Sequence, residues 1–588
     1  MFRMGNKKER IYFLSLASAF ILGVCLRLYL LKDQVLIDDE WHGLLFIKDK
    51  SFFEVLSLIN PNRNSSPLLN IYSYLCYHSI GVSEWNLRLP LLVTGCALVI
   101  ILPILVRKIV HDRTGIIFSF LLALSPFLIF YSRFSRSYII IALLSFFVLL
   151  TAFQWITTNK RAHAIGFILI SIIDVYTHPV AIAIALSPYV TLAIAFLIKR
   201  LDSRNSIAGY LAVPVKTALK VMMVHAIGLV AVTSNYIFNS GNVPLDVKAA
   251  RASDILNTLH LISGTTSTTV LVVFFALALL GCLRMYKITS FLTLLLCTGV
   301  VFNVFFILVI NPFGIESSAV FLRYCIVIIP VILLFTAVSV HDLLDVIQKR
   351  IAMPFFRQIV PVICISAGVL LLYFNGPLPV IYRAPNNFTG HLAFQGSYQY
   401  GDWQKSRSNH YFPSYEISKQ DIPAFYKWLA TDTKSQAIIE YPFDFADHSN
   451  LLYFYQIYHR KRVLVGYCSD PNLIAISVTP EMYERRKREN LVLAYTRPEF
   501  FLSDANVKKR THFRNMIDVA DDSEVLHSQA DYLVLHKMVQ SIYITKNEMG
   551  TFPLFDQSVS FFKEHYARIL GEPKFEDDQI IVFALTRK

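Results

Sequence analysis

Apolar residues in this chain come in long runs separated by short polar connectors. A helix that crosses a bilayer needs about 20 predominantly apolar residues. Run length therefore predicts about eleven spans, near 11–31, 89–106, 115–131, 138–156, 163–176, 179–198, 218–238, 268–283, 288–310, 321–340 and 358–374. The segment 163–176 is short for a span and 205–217 is undecided, so the count is open by one or two. The connectors carry the orientation. Arg3, Lys7, Lys8 and Arg10 precede the first span, and Arg107, Lys108 and Arg113 follow the second. Lys160 and Arg161 follow the fourth, and Lys199, Arg200 and Arg204 the sixth. Arg284 and Lys287 follow the eighth, and Lys349, Arg350 and Arg357 the tenth. Basic connectors stay in the cytoplasm, so the N-terminus is expected there and odd-numbered spans to exit outward. The basic start resembles a signal peptide, but its apolar run is too long and no small-residue cleavage site follows. It reads as a retained first span.

Two stretches outside the spans are expected on the outer side. The first is the loop 32–88, whose pieces Phe52–Ile59 and Leu68–Ile80 have the amphipathic pattern of helices lying along the interface. The second begins near 375, after the turn-rich join Asn375-Gly376-Pro377-Leu378-Pro379. There the apolar runs shorten to strand length. Ala437–Glu440, Val463–Val465, Tyr532–Leu535 and Ile580–Leu585 predict strands, and Phe425–Leu429 and Leu451–Tyr458 helices. The fold class expected is a polytopic all-α membrane domain, 1–374, followed by an extracytoplasmic α/β domain, 375–588.

Composition agrees with that class. The chain is 55% apolar and 16% charged, with a mean hydropathy of +0.49. A soluble protein cannot hide so much apolar surface. The net charge of +14 sits largely in the short basic connectors, which argues against nucleic acid as the partner. Six of the eight cysteines (Cys25, Cys96, Cys282, Cys297, Cys325 and Cys364) fall in or beside apolar runs and form no disulfide framework. Gly-rich phosphate loops, zinc-type Cys/His spacing, nucleophile elbows and internal repeats are not evident.

Candidate chemistry gathers at the outer ends of spans. Asp38-Asp39-Glu40 follows the first span directly. Crowded carboxylates repel, which raises at least one pKa unless a cation is near. That suits a general base or a metal ligand at the membrane surface, and it also suits a solvated loop start. The loop after the third span reads Tyr131-Ser132-Arg133-Phe134-Ser135-Arg136-Ser137-Tyr138, and that after the fifth Asp174-Val175-Tyr176-Thr177-His178-Pro179. The tenth span opens on Phe321-Leu322-Arg323-Tyr324. Arginine on the outer side runs against the usual bias. Each one alone is explained by snorkelling to headgroups. Arg136, His178 and Arg323 on the same face as the acidic triplet suggest a site for an anionic lipid, with arginine gripping phosphate and a carboxylate accepting a hydroxyl proton.

In order along the membrane part, these segments resemble the GT-C superfamily of integral membrane glycosyltransferases, above all the branch of protein O-mannosyltransferases and the lipid A aminoarabinose transferase. Ile37-Asp38-Asp39-Glu40-Trp41 resembles its Asp-Glu motif, and Trp85-Asn86-Leu87-Arg88-Leu89-Pro90 its Leu-Arg-Leu-Pro. Tyr131 to Tyr138 is similar to its Tyr-x-x-x-x-Arg-x-Tyr segment, Tyr176-Thr177-His178 to its Tyr-Thr-His turn, and Arg323-Tyr324 with Pro330 to its late Arg-Tyr motif. Ser65-Ser66-Pro67 stands where the family has His-Pro-Pro, so that histidine's role is missing or moved. The C-terminal segments Glu440-Tyr441-Pro442, His459-Arg460-Lys461, Val465-Gly466-Tyr467 and Tyr532–His536 resemble tails of bacterial relatives.

The resemblance implies an inverting glycosyl transfer from a polyprenyl-phosphate sugar to an acceptor hydroxyl on a glycan, lipid or protein. It sets the protein in a bacterial inner membrane. Asp39 would be the general base, with Asp38 the alternative, and Glu40 would orient the acceptor or help hold a cation. Arg136, His178 and Arg323 would neutralise the leaving phosphate, with Tyr138, Tyr176 and Tyr324 lining the pocket. A divalent cation, magnesium or manganese, on Asp39 and Glu40 stays open, as some relatives use one. Three rivals remain. A lipid-linked glycan transporter or flippase expects charged or broken spans at mid-membrane depth. A non-catalytic GT-C-like scaffold tolerates loss of the acidic pair. A ligase using a diphosphate-linked donor expects its main loop late in the membrane part.

Overall fold

The computed structural model describes residues 7–29, 31, 40, 47, 50–57, 66–81, 83–202, 205–239, 252–265, 267–312, 318–350, 367–368, 422–435, 437–441, 455, 458–459, 461–464, 474–475, 530–545, 548–553 and 556–585. Asp38, Asp39, the span expected at 358–374 and the domain join near 375 lie outside them.

The helical part comprises α1 (Lys7–Leu28), α2 (Phe52–Ser57), α3 (Pro67–Leu75, prolonged by a π turn Cys76–Ile80), α4 (Glu84–Arg107), α5 (Asp112–Leu124) and α6 (Pro126–Ser132). It continues through α7 (Tyr138–Thr158), α8 (Arg161–Thr177), α9 (Ile182–Leu201), α10 (Ser206–Gly209) and α11 (Val215–Asn239). It closes with α12 (Ala252–Ser263), α13 (Thr268–Ile288), α14 (Ser290–Ile310), α15 (Ser318–Tyr324) and α16 (Ile328–Arg350). Among the described residues eight helices are long and apolar enough to cross a membrane, and nine if the bent pair α5–α6 is one span. Helix α8, at 17 residues, is shorter than these but packs on α7 throughout. Large apolar side chains stay exposed on the outward faces, among them Leu14, Val224, Leu280 and Val301. In water this surface would be unfavourable; in lipid it meets its like. The chain is a multi-pass membrane protein.

The run 115–131, read as one straight span, is bent by 62° between α5 and α6. Pro126 has no N–H to continue the ladder and forces the preceding Ser125 out of the helical region (ψ 114°). Carbonyls freed by such a break must find donors inside a membrane. Arg27, fully buried on α1, donates from Nη2 to Leu122 O at 3.3 Å and from Nη1 to Ala123 O at 3.3 Å. Its Nε reaches Ser132 Oγ at 3.1 Å. Arg133 returns the arrangement: its Nη1 donates to Leu26 O, Arg27 O and Tyr29 O, at 3.3, 3.2 and 2.6 Å. Each arginine caps the carbonyl end of the helix that the other's neighbourhood supplies.

At the far end of the bundle the basic connectors are clasped. Arg107 lies 4.2 Å over the Tyr12 ring and 3.2 Å from Asp112, Arg113 pairs with Asp345, and Arg284 lies 2.9 Å from Asp342. Helices α13 and α16 approach most closely at Gly281, where an added Cβ would stand 1.7 Å from the Phe335 carbonyl oxygen and 2.6 Å from its carbon. Backbone cannot yield as a side chain can. Gly281→Ala is therefore expected to part the two helices and destabilise the protein by roughly 1–3 kcal/mol, seen as a lower thermal midpoint in detergent.

The C-terminal part contains α17 (Ala424–Thr431), β1 (Ala437–Tyr441), β2 (Arg462–Leu464), β3 (Ile474–Ala475), β4 (Tyr532–His536), a hairpin of β5 (Met538–Thr545) and β6 (Glu548–Pro553), α18 (Asp556–Leu570), β7 (Phe575–Glu576) and β8 (Ile580–Ala584). The main sheet has the order β3-β2-β1-β4-β8-β7. Strands β3, β2, β1 and β4 are parallel, and β8 and β7 close one side antiparallel. The apolar runs of β4 and β8 are buried along most of their length, as expected of strands covered on both faces. Of the helix expected at Leu451–Tyr458, only Tyr455 and Tyr458 are described.

Candidate active site

The site is built at the end of the bundle opposite the basic clasp, where α4, α7 and α16 begin and α8 ends. The turn 133–137 between α6 and α7 is its centre. Tyr131 and Ser132 belong to the last turn of α6 and Tyr138 starts α7, so the polar segment read as one loop is shorter than its sequence.

Glu40 fixes this turn. Arg88, near the start of α4, donates from Nε to Glu40 Oε1 at 2.8 Å and from Nη2 to Oε2 at 2.6 Å. The Ser135 N–H donates to the same Oε1 at 2.8 Å, and Ser135 Oγ to Leu87 O at 3.2 Å. Both charged side chains are buried. A fork-shaped guanidinium meeting a carboxylate with two bonds is the strong form of the ion pair. Glu40, expected to orient the acceptor or help hold a cation, accepts from both Arg88 and Ser135. Among the described residues no group of three or more His, Cys, Asp or Glu is placed to hold a metal. Glu40 anchors the turn that carries Arg136.

Ser66 adds a second tie. Its Oγ lies 2.6 Å from Ser137 Oγ, which joins the start of α3 to the same turn. This is the serine that stands near the family's histidine position. Gly95 of α4 lets the end of α6 close in: a Cβ there would fall 2.0 Å from Ser132 Oγ.

Above these ties the structure gathers five of the residues expected in the site. His178 caps α8, and its ring centroid is 5.4 Å from Tyr138 and 6.3 Å from Tyr324. Tyr138 and Tyr324 meet edge to face at 6.1 Å. The Arg323 guanidinium lies 5.5 Å over the Tyr138 ring and 5.2 Å over that of Tyr324. Arg136 is close enough that its charge, with that of Arg323, acts on His178. Burial first, then these two guanidinium groups, push the imidazole down to about 3. His178 is therefore uncharged near neutral pH. Its Nδ1 accepts the Val180 N–H at 3.3 Å, which leaves the proton on Nε2. It can donate a hydrogen bond but cannot supply the positive charge expected of it; the charge comes from Arg136 and Arg323.

Tyr176 is not brought into this group. It lies in the last turn of α8, whereas His178 follows the helix in extended backbone. Its hydroxyl donates to Leu56 O at 2.7 Å and ties α8 to α2. Two further differences concern boundaries. Helix α8 runs on to Thr177, so Asp174 is not in a loop; it is buried within α8, where Ser145 Oγ donates to its Oδ2 at 2.6 Å. Arg323 and Tyr324 lie on the separate short helix α15 and not on the long span, which begins at Ile328.

Arg88 and Ser135 are functional residues that the sequence reading left out. The signal for Arg88 was present, since it is another arginine at an outer span end, within the Leu-Arg-Leu-Pro segment.

No protein-family model matches the chain, and no curated protein matches it. Among solved structures it is similar to ArnT from Cupriavidus metallidurans in the apo state, with 12% identity, a TM-score of 0.49 and 99% of each chain covered. It is similar to the same protein bound to undecaprenyl phosphate, with 13% identity, a TM-score of 0.48 and 98% of each chain covered. It is also similar to the oligosaccharyltransferase AglB from Archaeoglobus fulgidus in complex with an inhibitory peptide and a dolichol-phosphate, with 12% identity, a TM-score of 0.43, and 90% of this chain and 70% of that one covered.

Proposed function

We propose that this protein is an inverting glycosyltransferase that moves a sugar from a polyprenyl-phosphate donor to an acceptor hydroxyl on the outer face of a bacterial inner membrane. The observation that carries this reading is the convergence of Arg136, Arg323 and an uncharged His178 at the bundle end that also holds the Glu40–Arg88 pair. The basic clasp at the other end supports a cytoplasmic side there by the positive-inside bias, and with it an outer site.

Asp39 takes the proton of the acceptor hydroxyl. The freed oxygen attacks the anomeric carbon from the face opposite the phosphate, the bond from that carbon to the phosphate oxygen breaks, and the lipid phosphate leaves with the electron pair. Negative charge grows on the phosphate as the bond breaks. Arg136 and Arg323 neutralise it, and the Nε2–H of His178 donates to one of its oxygens. Such preorganised donors at developing charge are commonly the largest catalytic contribution. Arg323 is itself held over two aromatic rings, a cation–π placement that stiffens it. Tyr138 and Tyr324 offer flat apolar surface beside the phosphate site, suited to a sugar ring or the first isoprene unit.

The test is transfer of label from a panel of polyprenyl-phosphate sugars in membranes that lack the native copy. Transfer from one donor is expected. Absence of transfer from every donor would favour the transporter and scaffold readings.

A further inference from the structure

The C-terminal segments Glu440-Tyr441, His459-Arg460-Lys461 and Tyr532–His536 take no part in that reaction, yet the fold assembles them. From β1 the chain proceeds to β2 and β3 on one side, then returns to β4 on the other side of β1. In open parallel sheets such a reversal leaves a crevice at the carboxyl ends of the two flanking strands, and ligands bind there. Glu440 is the last but one residue of β1, and His536 is the last of β4. Tyr426 of α17 reaches between them. Its hydroxyl donates to Glu440 Oε2 at 2.7 Å and lies 3.2 Å from His536 Nε2, which also bonds Glu440 Oε2. The Tyr426 ring stacks on Tyr455 at 4.4 Å and 22°, and on His459 at 5.4 Å and 13°. All five side chains are buried.

Among the described residues two polar atoms in this cluster have no partner: Glu440 Oε1 and His459 Nε2. His459 Nδ1 accepts the Lys461 N–H at 3.0 Å, so Nε2 carries the proton. Burial, with the Lys461 charge adding to it, pushes this imidazole down to about 3, so it is neutral. The cluster thus holds one unmet acceptor and one unmet donor, both on groups packed against Tyr426. Leaving buried polar groups unpaired is costly. Hydroxyl groups, each with one donor and two lone pairs, answer both needs. An anion would be repelled by Glu440, and a metal ion finds a protonated nitrogen at His459.

We propose that the β1–β4 crevice is a subsite for a neutral saccharide, whose hydroxyls donate to Glu440 Oε1 and accept from His459 Nε2 beside the tyrosine rings. Binding here requires neither the polyprenyl donor nor the residues at the end of the bundle, so it stands apart from the transfer reading.

The experiment is calorimetric titration of the full-length protein in nanodiscs with glucose, galactose, mannose, N-acetylglucosamine and their common disaccharides. One or more of them is expected to bind. Glu440→Gln, which turns an acceptor into an amide, and His459→Phe, which keeps the ring but removes the donor, are each expected to weaken that binding about tenfold, the usual effect of one lost hydrogen bond. Thermal melts select whichever variant stays folded. Arg323→Ala is expected to bind the saccharide as wild type does; loss of binding in that variant would put the sugar at the membrane site and overturn the proposal. Absence of binding by wild type at tens of millimolar, or wild-type binding by the folded variants, would also overturn it.

Discussion

Arg88→Met is expected to destabilise the protein by about 3–5 kcal/mol, the usual result of removing one partner from a buried ion pair. Glu40 would keep the Ser135 N–H but lose both guanidinium bonds while remaining shielded from water. The charge left behind is the main cost, more than the lost attraction. The double variant Arg88→Met with Glu40→Gln should therefore recover part of the loss, because a neutral amide tolerates burial without a cation. Transfer should not recover with it, since the acidic loop and the turn bearing Arg136 would no longer share an anchor. Thermal unfolding in detergent measures the first effect and glycosyl transfer the second. A double variant no more stable than Arg88→Met would show that the pair is not the anchor described.

The second large effect concerns rate. Arg136→Ala and Arg323→Ala are each expected to lower kcat by about 10²–10³, the range seen when one preorganised donor to a developing anion is removed. The effect belongs in kcat because the charge they meet grows in the transition state. Lysine should rescue Arg323 poorly, since a compact ammonium cannot lie flat over Tyr138 and Tyr324 as guanidinium does. Steady-state kinetics with a short-chain donor checks this. A rise in KM with kcat unchanged would mean that the arginines bind the lipid in its ground state only.

Much of the membrane architecture was legible because run length and connector charge are local properties. Both helices expected within 32–88 and four strands of the C-terminal sheet could be read for the same reason. What escaped depends on distant partners. The apolar run 115–131 contains Pro126, but whether a proline kinks or breaks a span depends on who takes the freed carbonyls, and that is Arg27, 96 residues from Ala123. The Glu40–Arg88 pair spans 48 residues, and nothing local distinguishes a paired carboxylate from a free one. The break at Cys325–Val327 precedes Pro330, which has no N–H for Ile326 O, but the apolar run alone reads as continuous across it. Tyr176 is held by Leu56 O, 120 residues away. A polar pair between spans, Tyr189 of α9 with His225 of α11, likewise joins residues 36 apart.

The most direct test of the central claim is transfer by Asp39→Asn at matched expression, with the donor that wild type uses. Asparagine keeps the shape of the side chain and cannot accept the proton. A fall of about 10²–10⁴ in rate, with folding and donor binding intact, is the result expected of a lost general base. Full activity in Asp39→Asn would contradict the account, and would leave Asp38 as the base or the acidic loop without a catalytic part.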